Sequence, residues 1–322
     1  MSENEKRWQD PYSEGCPMLE NAFAMVWKYS EEVSDEPALN AIRRFIKEGG
    51  KVIFPATGFD ETVPWDEQEF SSPVLELSNG TAWSPVFTNR QEYELGDPCE
   101  TIAHTLDDII LDAALLEDVS GVVFNYYGDA PFLLSGEPEE LAALLSEEPK
   151  SSFSFVKADA ADMEVDAVVS EANRIDHKKW KYDVNFDLLR KGGAHIAKTF
   201  RAAEKLDNGE SLVTHGGFLA APWVIHTAVT PYDGSEECVR DLAACCWTVL
   251  ETAKNNGFTS LAFPPLGSGT AGYPKKLAAQ TIADMMLSWM VDNEDWPMDI
   301  WFCCPEDEDL ELYKNPFEED EE

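Results

Sequence analysis

From residue 153 to residue 304 short apolar runs alternate with segments of helical periodicity, and this alternation restricts what the chain can fold into more than any other feature. The runs at 153–156, 165–169, 211–213, 224–229, 260–263 and 300–303 read as strands. Helical patterns at about 185–205, 236–255 and 275–291 alternate with the later ones. The strands are continuous apolar stretches, as expected of strands buried on both faces. The expected architecture is an α/β sheet covered by helices on either side.

One segment in this half carries chemistry. Phe-Pro-Pro-Leu-Gly-Ser-Gly-Thr-Ala-Gly-Tyr-Pro, residues 263–274, places Gly267, Gly269 and Gly272 in a G-x-G-x-x-G spacing between an expected strand and an expected helix. Backbone N–H groups and a helix N-terminus can converge there on an anion, and Pro274 suits the first helical position. Only 50 residues follow Gly272, too few for a full dinucleotide-binding domain, so the spacing marks either a phosphate loop of another α/β fold or a structural turn.

Charge narrows the partners. With 24 Lys and Arg against 62 Asp and Glu, the net charge is −38, and so acidic a surface repels a polyphosphate backbone. No nucleic-acid partner is expected. Within that chain, residues 174–205 hold nine of the 24 bases against four acids, Asp176, Asp183, Asp187 and Glu204. They are either solvated surface charge or an electropositive lip for a small anion. The last eighteen residues hold ten acids and one lysine and are expected to form a solvated tail. The seven cysteines include two adjacent pairs and no C-x-x-C, and no histidine spacing suggests a metal, so no metal site or cofactor is expected. No apolar run approaches the length of a membrane span, and the first thirty residues lack a signal-type apolar stretch, so the expectation is a cytoplasmic protein without a membrane partner.

Length favours two domains. Residues 1–33 lack a regular pattern and read as a loosely ordered extension. Residues 34–147 read as a compact α+β domain: a helix at 36–47, a strand at 51–54, a hairpin about Asn79-Gly80, a helix at about 100–116, a strand at 122–127 and a short helix near 139–145. A Pro- and Ser-bearing linker at 146–152 leads to the second domain at 148–304, followed by the acidic tail at 305–322.

Four motifs in the second domain resemble those of the macro domain family. Residues 158–173, ADAADMEVDAVVSEAN, resemble its Gly-Asp-Ile opening, second strand and Asn-Ala-Ala-Asn segment. Residues 209–229 resemble its strand, glycine turn and Val-Ile-His strand, residues 260–274 its diphosphate loop, and residues 298–304 its last strand. The resemblance implies a three-layer α/β/α domain with a mixed sheet that binds ADP-ribose or an ADP-ribosylated protein. It implies that Asp159, with Ala160 beside it, accepts from the adenine amino group, although Asp159 is also a candidate loop cap. Ser268, Gly269, Thr270, Ala271 and Gly272 resemble the diphosphate cradle, flanked by Gly267 and Tyr273. The resemblance further implies that Asn173, otherwise a turn residue, faces the distal ribose. The family's hydrolases carry glycines and an acid where this chain has residues 181–189, and Asn185 stands at the acid's place. An amide cannot accept a proton as a general base. The catalytic candidates are therefore Asn173 with Asp183 or Asp187. The family's first Asn is Ser170 here, and an aromatic common in its loop is Ala271. Binding of ADP-ribose or a related anionic nucleotide is the leading expectation; an ADP-ribosyl or O-acetyl-ADP-ribose hydrolase and a non-catalytic scaffold are the alternatives.

Residues 38–145 resemble the SseB N-terminal family, a bacterial type of module, through the strand at 52–55, the Ser84-Pro85-Val86-Phe87-Thr88-Asn89 hairpin arm and the strand at 121–125. That resemblance implies a protein-interaction module.

Overall fold

The computed structural model describes residues 11–12, 15–60, 62–176, 181–183, 185–202 and 206–318, with Asn173–Asp176 and Lys181–Asp183 described by backbone alone. The chain divides into two compact units, Met1–Ser30 with Asp35–Pro149, and Glu31–Ser34 with Lys150–Glu322. Among the described residues no helix is long and apolar enough to cross a membrane.

The first unit runs α1 (Pro17–Lys28), α2 (Glu36–Lys47), β1 (Lys51–Pro55), β2 (Leu75–Glu76), β3 (Ala82–Val86), α3 (Arg90–Glu94), β4 (Thr101–Thr105), α4 (Leu106–Ala114), β5 (Val122–Phe124), β6 (Phe132–Leu134) and α5 (Pro138–Ser146). Strands β1 and β4 pair antiparallel, and β2-β3-β5-β6 form a mixed sheet in which β3 and β5 are parallel. The turn joining β2 to β3 uses Asn79-Gly80 as the sequence predicts, with Asn79 Oδ1 accepting from the Thr81 N–H at 3.0 Å.

Two expectations fail here. The segment read as an N-terminal extension contains α1, which buries Leu19, Phe23 and Val26 at helical spacing and stacks Phe23 on Phe132 with ring centroids 4.8 Å apart. The helix expected to start at residue 100 starts at Leu106, because Thr101–Thr105, with its β-branched residues, pairs along β1.

The second unit runs β7 (Ser152–Val156), β8 (Ala167–Glu171), β9 (Asn173–Asp176), β10 (Lys181–Asp183), α6 (Phe186–Gly192), α7 (Ala194–Ala202), β11 (Ser211–His215), β12 (Trp223–Thr227), α8 (Glu236–Asn255), β13 (Ser260–Phe263), α9 (Lys275–Asp292), β14 (Asp299–Cys303) and α10 (Asp307–Glu318). Its main sheet has the order β11-β12-β8-β13-β14-β7. Only β11 runs antiparallel to its neighbour, so the sheet is mixed. Helices α8, α9 and α10 share a core with the sheet face that presents Val169, Ile225, Leu261, Ile300 and Phe302. Strand alternation turns His226 to the opposite face, where Phe200 of α7 meets it edge-on at 4.9 Å. This is the three-layer α/β/α arrangement expected.

The single helix expected at 185–205 is two, broken where Gly193 adopts a φ of +89° that a side chain resists. The stretch expected to be a solvated acidic tail is largely α10. Tyr313 is 1% exposed against Phe302, and Phe317 lies 4.2 Å from Phe153 between ring centroids. Its acids are partly neutralised by Lys275, whose Nζ lies 3.0 Å from Glu308 and 2.9 Å from Asp309. Apolar residues three and four positions apart dock the helix while the acids face water.

Candidate functional site

Because β7, β8, β13 and β14 are parallel, their carboxyl ends and the segments that follow share one edge of the sheet. A crevice outside the carboxyl ends of such strands is where open α/β sheets take ligands. A cleft of about 310 Å³ opens there. Its walls are the turn after β7 (Asp159, Ala160, Ala161), the end of β8 (Val168 to Glu171), the start of α6 (Asn185, Asp187, Leu188) and the loop after β13 (Pro264, Pro265, Leu266, Gly269, Thr270).

The glycine loop forms as its sequence dictates. Gly267 has a φ of +79°, and a Cβ there would lie 3.2 Å from Leu242 and Tyr273. The Tyr273 N–H donates to the Gly267 carbonyl at 2.9 Å, the Gly272 N–H donates to the Gly269 carbonyl at 3.1 Å, and the Ser268 hydroxyl donates to the Pro265 carbonyl at 3.0 Å. Tyr273 itself is buried, its hydroxyl donating to the Cys238 carbonyl at 2.5 Å, so it braces the loop from beneath. Gly269 stands at the cleft, where an added Cβ would meet nothing within 4 Å.

At another wall Asp159 does two jobs. It caps the short turn Ala160–Asp162 by accepting from the Ala161 N–H at 3.0 Å, and it accepts from the Lys191 ammonium at 2.8 Å. Partial burial pushes its pKa up, but the Lys191 hydrogen bond, the Ala161 N–H and the nearby positive charges prevail and hold it below the usual carboxylate range. The same ammonium lies 2.7 Å from Asp162. Lys191 therefore serves as charge compensation for two acids of the rim. Arg190, 3.6 Å from Asp187, is exposed beside it.

Two residues that the sequence reading did not assign to ligand binding stand at the centre. Ser170 is 4% exposed, lines the cleft, and its Oγ has no hydrogen-bond partner among the described residues. A buried hydroxyl of this kind costs about 1–3 kcal/mol until something bonds it. Glu171 reaches across from the end of β8, Oε2 accepting from the Gly267 N–H at 2.9 Å and Oε1 from the Thr270 hydroxyl at 3.0 Å, with the Ala271 N–H as a further donor. Burial pushes its pKa above the ordinary carboxylate value despite these hydrogen bonds. The signal for Glu171 lay in Ser-Glu-Ala-Asn, an acid at the end of an apolar strand. That it would meet the loop depends on β8 lying beside β13.

Of the other expected site residues, Asp187 lines the cleft and Asn185 does so as a helix cap, its Oδ1 accepting from the Asp187 and Leu188 N–H groups at 2.9 and 3.4 Å. Asn173 and Asp183 lie opposite each other in the antiparallel pairing of β9 with β10. Their side chains lie outside the described residues.

A glycine loop and an acid-bearing turn face one cleft at the carboxyl edge of the mixed sheet of an α/β/α domain. Comparison with known proteins names the class. The macro domain family model matches residues 172–282. A macro domain-containing protein of Listeria monocytogenes is 32% identical over 176 residues, which cover 49% of this chain and 93% of that protein. An O-acetyl-ADP-ribose deacetylase of Enterobacter sp. is 28% identical over 170 residues, covering 51% of this chain and 93% of the relative. A solved Oceanobacillus iheyensis macrodomain with ADP matches 53% of this chain and 92% of its own at 20% identity, with a TM-score of 0.47. The chain belongs to the macro domain family through its second unit.

Proposed function

We propose that the cleft of the second unit binds ADP-ribose or a related anionic nucleotide, free or attached to a protein. The observation that carries this is the placement of the glycine loop and Asp159 on walls of one 310 Å³ cleft, with the open position of Gly269 between. In this reading the loop N–H groups and the Thr270 hydroxyl hold the diphosphate, Asp159 accepts from the adenine amino group, and Ser170 gives its unpartnered hydroxyl to the ligand. Tyr273 acts by bracing the loop. Calorimetric titration of the full chain with ADP-ribose tests it, with AMP and ribose 5-phosphate as controls. Micromolar binding lost in Gly269→Glu supports the reading, and absence of heat at millimolar ligand overturns it.

A hydrolytic role is the second reading, favoured by Asp187, an acid at the cleft that can accept a proton where Asn185 cannot. It takes Asp187 or Asp183 as the base and Asn173 as a ligand to the ribose. Loss of ADP-ribose release in Asp187→Asn with binding retained supports it.

We read residues 34–147 as an SseB-like α+β domain that meets a protein partner, residues 148–304 as the macro domain, and the chain as cytoplasmic. The last is supported by seven free cysteines, a state that reducing compartments maintain.

A further inference from the structure

A loop that gathers N–H groups for an anion already holds one here. The Glu171 carboxylate takes the Gly267 N–H at 2.9 Å and the Thr270 hydroxyl at 3.0 Å, and the Ala271 N–H also points to it. These donors belong to the loop whose spacing marks an anion site, so an internal carboxylate sits where an external phosphate oxygen would. We propose that Glu171 is the specificity-determining residue of this cleft: it occupies the anion cradle, a ligand diphosphate competes with it for the same donors, and Glu171 takes up a proton when the two share the loop. This rests on the reading of the cleft as a diphosphate site.

Electrostatics makes the competition unavoidable. Two anions sharing one set of donors in a partly desolvated cleft repel each other, so either the carboxylate is neutralised or it leaves. Burial raises the Glu171 pKa and its hydrogen bonds do not fully offset this, so protonation costs less here than at an ordinary carboxylate. The groups around it do not supply the missing charge. From α8 the Cys245 thiol, pushed up to about 11, is neutral. From α10 the Tyr313 phenol is neutral too, with Glu171 among the charges that raise it. Across the cleft stand Asp187 and Asp159, and Lys191 is drawn to Asp159 and Asp162. Among the described residues no ammonium or guanidinium accompanies Glu171. Once protonated, the same side chain becomes a hydrogen-bond donor to a phosphate oxygen.

The test is titration of the full chain with ADP-ribose at pH 5.5, 7.0 and 8.5, for the wild type, Glu171→Gln and Glu171→Ala, with thermal melts to confirm that each is folded. Glu171→Gln keeps the shape should alanine loosen the loop. The wild type is expected to lose affinity as pH rises, approaching tenfold per unit above the Glu171 titration, whereas both variants show a flatter profile and bind at least tenfold more tightly at pH 8.5. Clear binding that is equally pH-dependent in all three proteins, or tighter in the wild type, overturns the role of Glu171 and leaves the site reading intact. Absence of binding in all three at every pH overturns the site reading and this inference with it.

Discussion

Replacing Tyr313 by alanine is expected to destabilise the second unit by about 3–5 kcal/mol, the range for removing a fully buried large side chain. The side chain is 1% exposed and its ring centroid lies 5.2 Å from that of Phe302, itself buried beneath α10. The phenol gives the prediction a second edge. Its hydroxyl is buried without a hydrogen-bond partner among the described residues, and such a group costs about 1–3 kcal/mol. Tyr313→Phe, which keeps the ring and removes that cost, is expected to stabilise by about 1 kcal/mol. Urea unfolding followed by hydrogen exchange of β14 reads the second unit by itself. With a urea slope of about 3 kcal/mol/M, the alanine variant loses about 1–1.7 M in midpoint and the phenylalanine variant gains about 0.3 M. An unchanged midpoint for Tyr313→Ala, or a loss of 1 kcal/mol for Tyr313→Phe, refutes the reasoning. The first result makes the acidic segment the solvated tail that its composition suggests.

Two further predictions concern charge. Lys191→Met is expected to raise the pKa of Asp159 above its present depressed position, because partial burial then acts without the ammonium that opposes it; in the wild type the stability from this pair is present above the ordinary Asp value and is lost as pH falls through the lowered one, and a carboxyl NMR titration of both proteins checks the shift. His226 is buried, with Nε2 2.8 Å from the Thr214 hydroxyl, and burial lowers its pKa to about 3. The unfolded chain takes up a proton near pH 6.5 while the folded one does not, so at pH 4.5 the cost is on the order of 3 kcal/mol. His226→Gln is expected to flatten stability between pH 6.5 and 4.5, as measured by thermal melts.

The sequence carried the frame of the second unit because its signals are local. Pro274 announces α9, although it stands one residue ahead of the first helical position expected for it, as the N-cap before Lys275, and the apolar strands announce their own burial. Other elements were hidden by competing signals. Ten acids in the last eighteen residues obscured the spacing of Leu310, Tyr313 and Phe317 within α10, although that spacing is what docks the helix. Thr101–Thr105 reads as strand only when β1 lies beside it. At the site, the glycine loop was legible because φ-positive turns require glycine, and Asp159 was placed by its motif. Glu171 and Lys191 were not, since each acts across a distance in the chain, Glu171 to Thr270 and Lys191 to Asp159, that only the fold closes.

The central claim is that the glycine loop and the Asp159 turn hold one nucleotide together. Backbone amide NMR of the full chain during titration with ADP-ribose reads both walls of the cleft at once. The account predicts saturable shifts at Gly267, Gly269, Thr270 and Ala271 in step with those at Ala160 and Ala161. Shifts confined to other parts of the chain, or none at millimolar ligand, contradict it.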